Sequence, residues 1–155
     1  MFNKSLLVVA VALAMPCAAV YGQESRATRG EAEKMVKKGV EFLKKNGKTK
    51  AATEMTAPSR TFVDRDLYLV IYDVNGNCIA HGQNGRQAGK SLIDAKDADG
   101  KLYVKERVEL AKAKPKFWQD YKFSDPITKQ VLPKQMYCEK EGDLLVCGGV
   151  YKEEV

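Results

Sequence analysis

Asn75 and Gly76 constrain this chain more than any other pair of neighbours. They follow residues 67–72, LYLVIY, a run rich in β-branched and aromatic side chains, and precede a second short run over residues 77–81. Asn-Gly supplies the two positive-φ residues of a type I′ turn, so the pattern predicts a tight antiparallel hairpin. A two-residue turn fixes the register, setting Tyr72 opposite Ile79 and Val70 opposite His81. Period-2 alternation then puts Tyr68, Val70, Tyr72, Ile79 and His81 on one face. Leu67, Leu69, Ile71, Cys78 and Ala80 fall on the other, which is uniformly apolar and is expected to meet the helices. The first face joins aromatics to the chain's one histidine and suits a pocket wall.

The rest of the chain fits around that hairpin. Over residues 28–46, Ala32, Met35, Val36, Val40 and Leu43 recur at helical spacing, and Asn46 with Gly47 supplies a C-cap. A shorter helix is predicted over residues 48–55, closed by Pro58. Residues 82–101 are loop-rich, and a short helix is expected over residues 102–112. A strand over residues 118–123 and a turn at Ser124-Asp125-Pro126 follow. A second hairpin, residues 135–140 and 144–151, turns at Gly142-Asp143. With a two-residue turn there, Cys138 lies opposite Cys147, within disulfide reach, and Tyr137 faces Gly148. Cys78 is the remaining thiol, and a link from it to Cys138 or Cys147 is the alternative pairing. The order reads as an α+β fold, helices packed on one face of an antiparallel sheet of about five strands.

The N-terminus carries the signature of export. Lys4 is followed by an apolar run over residues 6–15, then Pro16, and Val20-Tyr21-Gly22 offers a cleavage site after Gly22. The run is shorter than the ~20 residues of a membrane span. The expectation is a signal peptide, residues 1–22, and one domain over residues 23–155. Cys17 lacks the small residues that a lipoprotein site requires before it. The product is expected to be periplasmic or secreted, where a disulfide persists. Net charge is +6, but Lys37-Lys38 and Lys44-Lys45 alternate with Glu31, Glu33 and Glu41 on the predicted helix. That is a solvated face rather than a nucleic-acid footprint.

Three chemistries can be weighed on residue type. Nucleophilic catalysis would have to use His81 with Ser91, Cys78 or Asp94, none in a nucleophile setting, so no catalytic residue is expected. Asp97, Asp99, Gly100 and Glu106 match positions 3, 5, 6 and 12 of a calcium loop, but Ala95 stands at position 1, so this is read as a turn. A metal site from Cys78, His81, Cys138 and Cys147 fails on register, which puts Cys78 and His81 on opposite faces. What remains is Tyr68, Tyr72, His81, Trp118, Tyr121, Lys134 and Tyr137. Aromatic walls with a few cationic or hydroxyl donors suit a small organic anion. No cofactor is called for.

The order Asp66-Leu67-Tyr68, Tyr72-Asp73-Val74-Asn75-Gly76, Ala80-His81-Gly82, Gly89-Lys90-Ser91-Leu92 and Asp97-Ala98-Asp99-Gly100-Lys101 resembles the single-Cache family. The resemblance continues through Trp118, Tyr121, Asp125-Pro126-Ile127-Thr128, Pro133-Lys134, Tyr137 and Gly148-Gly149-Val150-Tyr151. It implies a long N-terminal helix beside a PAS-like antiparallel sheet, and a pocket lined by Tyr68, His81, Trp118, Tyr121, Lys134 and Tyr137. It further implies sensing of a small molecule, often a short carboxylate, outside the membrane, with a membrane-bound receptor or kinase as partner. The alternatives are an interaction protein that docks on a membrane sensor with a vestigial pocket and, more remotely, a hydrolase centred on His81.

Overall fold

The computed structural model describes residues 25–152; the predicted signal peptide lies outside the described residues. Helix α1 spans Arg29–Glu54, and the Thr28 hydroxyl and Glu31 carboxylate form a reciprocal capping box at its start. Gly47, at φ 80°, breaks the helix where the Asn46-Gly47 pair predicts. Strands β1 (Val63–Asp64), β2 (Leu67–Asp73) and β3 (Cys78–His81) follow, then helix α2 (Tyr103–Ala113). Strands β4 (Lys116–Ser124), β5 (Val131–Glu141) and β6 (Leu144–Tyr151) complete the domain.

All ladders are antiparallel, in the order β1-β2-β6-β5-β4, with β3 also paired to β2. The sheet thus has six strands, one more than the sequence suggests, because β1 is a two-residue strand with no periodicity to read. The fold is α+β. Helix α1 packs on one face through Val36, Val40 and Leu43 against Leu69, Ile71 and Val146. Gly39 and Gly148 let it approach: a Cβ on Gly39 would come within 2.5 Å of Leu69 Cδ1, and one on Gly148 within 3.1 Å of Val36 Cγ2. Helix α2 covers the opposite face, where Val104, Val108 and Ala111 meet Tyr68, Val70 and Met136.

The first hairpin departs from the expected register. Val70 faces His81, but Tyr72 pairs with Cys78, because a bulge falls between Ile71 and Tyr72. The Asp73 carboxylate causes the widening: it accepts from the backbone N–H of Asn75 and of Asn77, both at 2.9 Å, and from the Asn77 side chain at 2.8 Å. Cys78 also exchanges backbone hydrogen bonds with Lys90 and Gly89. Ile79 therefore packs on the α1 side and Cys78 on the α2 side, the reverse of the prediction. Cys78 and His81 share a face, so the register argument against a joint metal site does not hold. Among the described residues, no group of three or more His, Cys, Asp and Glu side chains is placed to hold a metal. The second hairpin keeps its predicted register, with Tyr137 opposite Gly148. Cys138 is joined to Cys147, and Cys78 is a free, buried thiol.

Candidate functional site

The α2 face of the sheet carries an uncommon load of buried polar groups. Lys134 of β5 is only 1% exposed and has Tyr121 and Tyr151 as its ladder partners. Its Nζ donates to the Tyr151 hydroxyl at 3.1 Å. It lies 4.1 Å from the ring centre of Tyr68, 4.4 Å from that of Tyr151 and 5.6 Å from that of Phe123. Gly149 makes room for the stem, since a Cβ there would stand 2.8 Å from Lys134 Cε. Among the described residues no carboxylate comes within ion-pair distance of Lys134, and burial, reinforced by Arg107, holds its pKa well below the usual lysine range.

Arg107 of α2 is fully buried. Its Nε donates to Gln119 Oε1 at 2.9 Å, and Gln119 Nε2 in turn donates to the Tyr103 carbonyl and to Glu106, both at 2.9 Å. The two terminal nitrogens have no hydrogen-bond partner of good geometry. The guanidinium sits instead between the rings of Tyr72, Tyr121 and Tyr103, at 5.1, 5.1 and 5.5 Å. Buried guanidinium N–H donors that lack a well-formed hydrogen bond are costly, and a carboxylate fits such a fork in bidentate fashion.

His81 is the third member. Its ring stacks 5.3 Å from Tyr68 and 6.4 Å from Phe123. Nδ1 accepts from the backbone N–H of Gln83 and Asn84, at 3.3 and 3.1 Å, which leaves the proton on Nε2. Burial first, then Lys134 and Arg107, lower its pKa to about 4, so it is a neutral donor at neutral pH. Burial raises the Tyr68, Tyr72 and Tyr151 pKa values and pushes Tyr121 to about 12; these phenols keep their protons. Two cavities flank the cluster. One, of about 240 Å³, is bounded by Tyr68, His81, Phe123, Ser124 and Asp125; the other, of about 320 Å³, by Tyr121, Lys134 and Lys101. Both lie at the small end of the range for ligand pockets, which begins at roughly 300 Å³, and suit a small organic molecule.

Of the seven predicted pocket residues, the structure brings together Tyr68, Tyr72, His81, Tyr121 and Lys134. Trp118 and Tyr137 lie on the other face of the sheet. Their rings meet each other at 5.1 Å beneath α1, with Arg29 over the Trp118 ring at 4.0 Å and Glu33 accepting from its indole N–H at 3.2 Å. The reason is pleat parity: Trp118 and Tyr121, like Lys134 and Tyr137, are three residues apart and point oppositely in a straight strand. Arg107, Gln119 and Tyr151 join the cluster without being among the residues the sequence points to. The signal for Arg107 was present, a charge among Tyr103, Val104, Val108 and Ala111 on the apolar stripe of a helix. The calcium-like segment is a turn. Asp97 accepts from the backbone N–H of Asp99, Lys101 and Lys122 at 2.9–3.0 Å.

A family model described as Single Cache domain 2 matches residues 4–155. The chain belongs to the single Cache domain 2 family. In sequence it is similar to the sensor histidine kinase MctS of Rhizobium johnstonii, 31% identical over 109 residues, which are 68% of this chain and 23% of that protein. The Cache chain thus spans about a quarter of the curated relative it matches. Among solved structures it resembles a methyl-accepting chemotaxis protein from Vibrio parahaemolyticus, with a TM-score of 0.68, 21% identity, and coverage of 79% of this chain and 86% of that one. A Cache chemosensory domain studied for carboxylic acid recognition gives 0.68 at 19% identity, covering 80% and 92%. These likenesses establish the Cache fold. No helix among the described residues is long and apolar enough to cross a membrane.

Proposed function

We propose that this Cache domain binds a small carboxylate outside the cytoplasm and serves as a sensing module rather than a catalyst. The observation that carries the reading is the pair of buried basic side chains, Arg107 and Lys134, which share Tyr121 as a wall and form no ion pair among the described residues. A carboxylate between them would satisfy the open guanidinium fork, with the Nε2–H of His81 and the phenols of Tyr68 and Tyr121 as further donors. Charge-assisted hydrogen bonds of this kind contribute about 1.5–3 kcal/mol each, enough to offset desolvation of a small anion. The carboxylic-acid-recognising neighbour and the sensor-kinase relative support the assignment, and the buried disulfide fits an oxidising compartment.

Catalysis has little support in the geometry. The His81 Nδ1 is bonded to backbone N–H groups and the Cys78 thiol donates to the Ala80 carbonyl, so among the described residues these hydrogen bonds do not join the histidine to a nucleophile. The test is a thermal-shift and calorimetric screen of two- to five-carbon mono- and dicarboxylates against amino acids and sugars. Stabilisation confined to carboxylates, and lost in Arg107→Met, is the expected result. A ligand whose affinity ignores both Arg107→Met and Lys134→Met overturns the reading and favours a vestigial pocket.

A further inference from the structure

We propose that the carboxylate enters this site together with one proton, which Lys134 takes up as the anion arrives. The inference rests on the carboxylate-binding reading and adds how that site is regulated. An ammonium in a dry cage needs a counter-charge. None of the groups facing Lys134 provides one: Tyr151 from β6 offers a phenol oxygen, Tyr68 from β2 and Phe123 from β4 offer ring faces, and His81 from β3 is neutral. From α2, Arg107 adds a repelling cation.

Asp66 and Asp125 attract Lys134 from farther away, but both are fully buried and committed elsewhere. Asp66 accepts from the Ala27 N–H at 2.8 Å and from Arg26 at 3.4 Å. Asp125 accepts from Arg26 at 3.0 Å and from the Thr128 hydroxyl at 2.6 Å. In the empty pocket the neutral amine is therefore favoured, and it can still donate to Tyr151. A bound carboxylate supplies the missing negative charge and shifts the balance to the ammonium.

The neighbouring groups do not share this role near neutral pH. The tyrosines titrate far above it and His81 far below. By linkage, apparent affinity is flat below the pKa of empty-state Lys134 and falls about tenfold per pH unit above it. The site then reports the concentration of an organic acid multiplied by that of the proton, and responds most strongly when its surroundings acidify.

Two measurements test this. NMR of the Lys134 side chain in the empty protein should show a neutral amine at a pH where the surface lysines remain charged. Calorimetry with acetate, propionate and lactate in buffers of differing ionisation enthalpy, at about pH 8, should show uptake of close to one proton per ligand. The uptake should vanish in Lys134→Met and persist in His81→Asn, which binds more weakly. If Lys134 titrates with the surface lysines, or wild type binds without proton uptake, the proposal is overturned although the protein still binds carboxylates. If no carboxylate binds while Lys134 is neutral, it is the carboxylate reading that fails, and the proton coupling falls with it.

Discussion

Lys134 and Tyr151 face each other across the β5–β6 ladder, and the lysine Nζ donates to the phenol oxygen at 3.1 Å. The phenol then donates to the Ser124 carbonyl at 2.7 Å and lies 3.4 Å from the Tyr68 hydroxyl. One hydroxyl therefore holds the amine in place and ties β6 to the end of β4. Tyr151→Phe removes these contacts and leaves the buried Lys134 amine and Tyr68 hydroxyl without their Tyr151 partner. The variant is expected to lose about 1–3 kcal/mol of stability in urea unfolding, and to bind carboxylates more weakly.

Lys134→Met is expected to behave in the opposite way. It removes a buried amine with no ion partner, keeps an unbranched side chain of similar length, and leaves Tyr151 bonded to Ser124. The empty variant should be at least as stable as wild type at neutral pH while carboxylate affinity falls by a hundredfold or more, about 3 kcal/mol. The sign with pH follows from a pKa lower in the folded than in the unfolded chain. Wild type gains stability as pH rises from the depressed folded pKa toward the unfolded value, and Lys134→Met should lack that rise.

His81 gives a separate acid limb. Its pKa falls from 6.5 to about 4 on folding, so the unfolded chain binds more protons between those values. Stability is fully present above about pH 6.5 and is lost as pH falls toward 4, by about 3 kcal/mol in total. His81→Asn should flatten unfolding curves in that window.

Most of the architecture was legible because it rests on local rules. The helix with its break at Gly47, the β5–β6 register and the Cys138–Cys147 pair all follow from spacing and turn chemistry. The errors arose where a side chain overrode the local rule. The Asp73 carboxylate widened the first turn and moved Cys78 across the sheet. Strand parity separates Trp118 from Tyr121 and Tyr137 from Lys134, since the members of each pair lie three residues apart on one strand. Arg107 was hidden because a charge on an amphipathic helix is ordinarily solvated, and only tertiary packing turns it inward.

The disulfide joins two fully buried cysteines nine residues apart. So short a loop constrains the unfolded chain modestly, about 2–3 kcal/mol on the chain-entropy account. Reduction is expected to lower the urea midpoint without changing the fold. Mass mapping of the unreduced protein should find Cys78 as the free thiol, a group that burial raises to about 12 and that should resist alkylation until unfolding.

Arg26, just ahead of α1, holds Asp66 at the start of β2 and Asp125 in the turn after β4. Asp125 also borders the 240 Å³ cavity, and its neighbour Ser124 accepts from Tyr151, the partner of Lys134. A path of polar contacts, with one peptide step from Ser124 to Asp125, thus runs from Lys134 to Arg26 just ahead of α1. Arg26→Ala leaves Asp66 bonded to the Ala27 N–H, and Asp125 to Thr128 and the Ile127 N–H, so the fold should survive with a loss of about 1–3 kcal/mol. If the contacts carry coupling, the variant should bind carboxylates more weakly, because the turn over residues 124–129 is less well held. Reciprocity then requires that a bound carboxylate protect residues 26–31 of wild type against hydrogen exchange, and that Arg26→Ala abolish that protection. Protection confined to residues around the cavity, with wild-type affinity in Arg26→Ala, would show that the latch stabilises the domain without transmitting occupancy to α1.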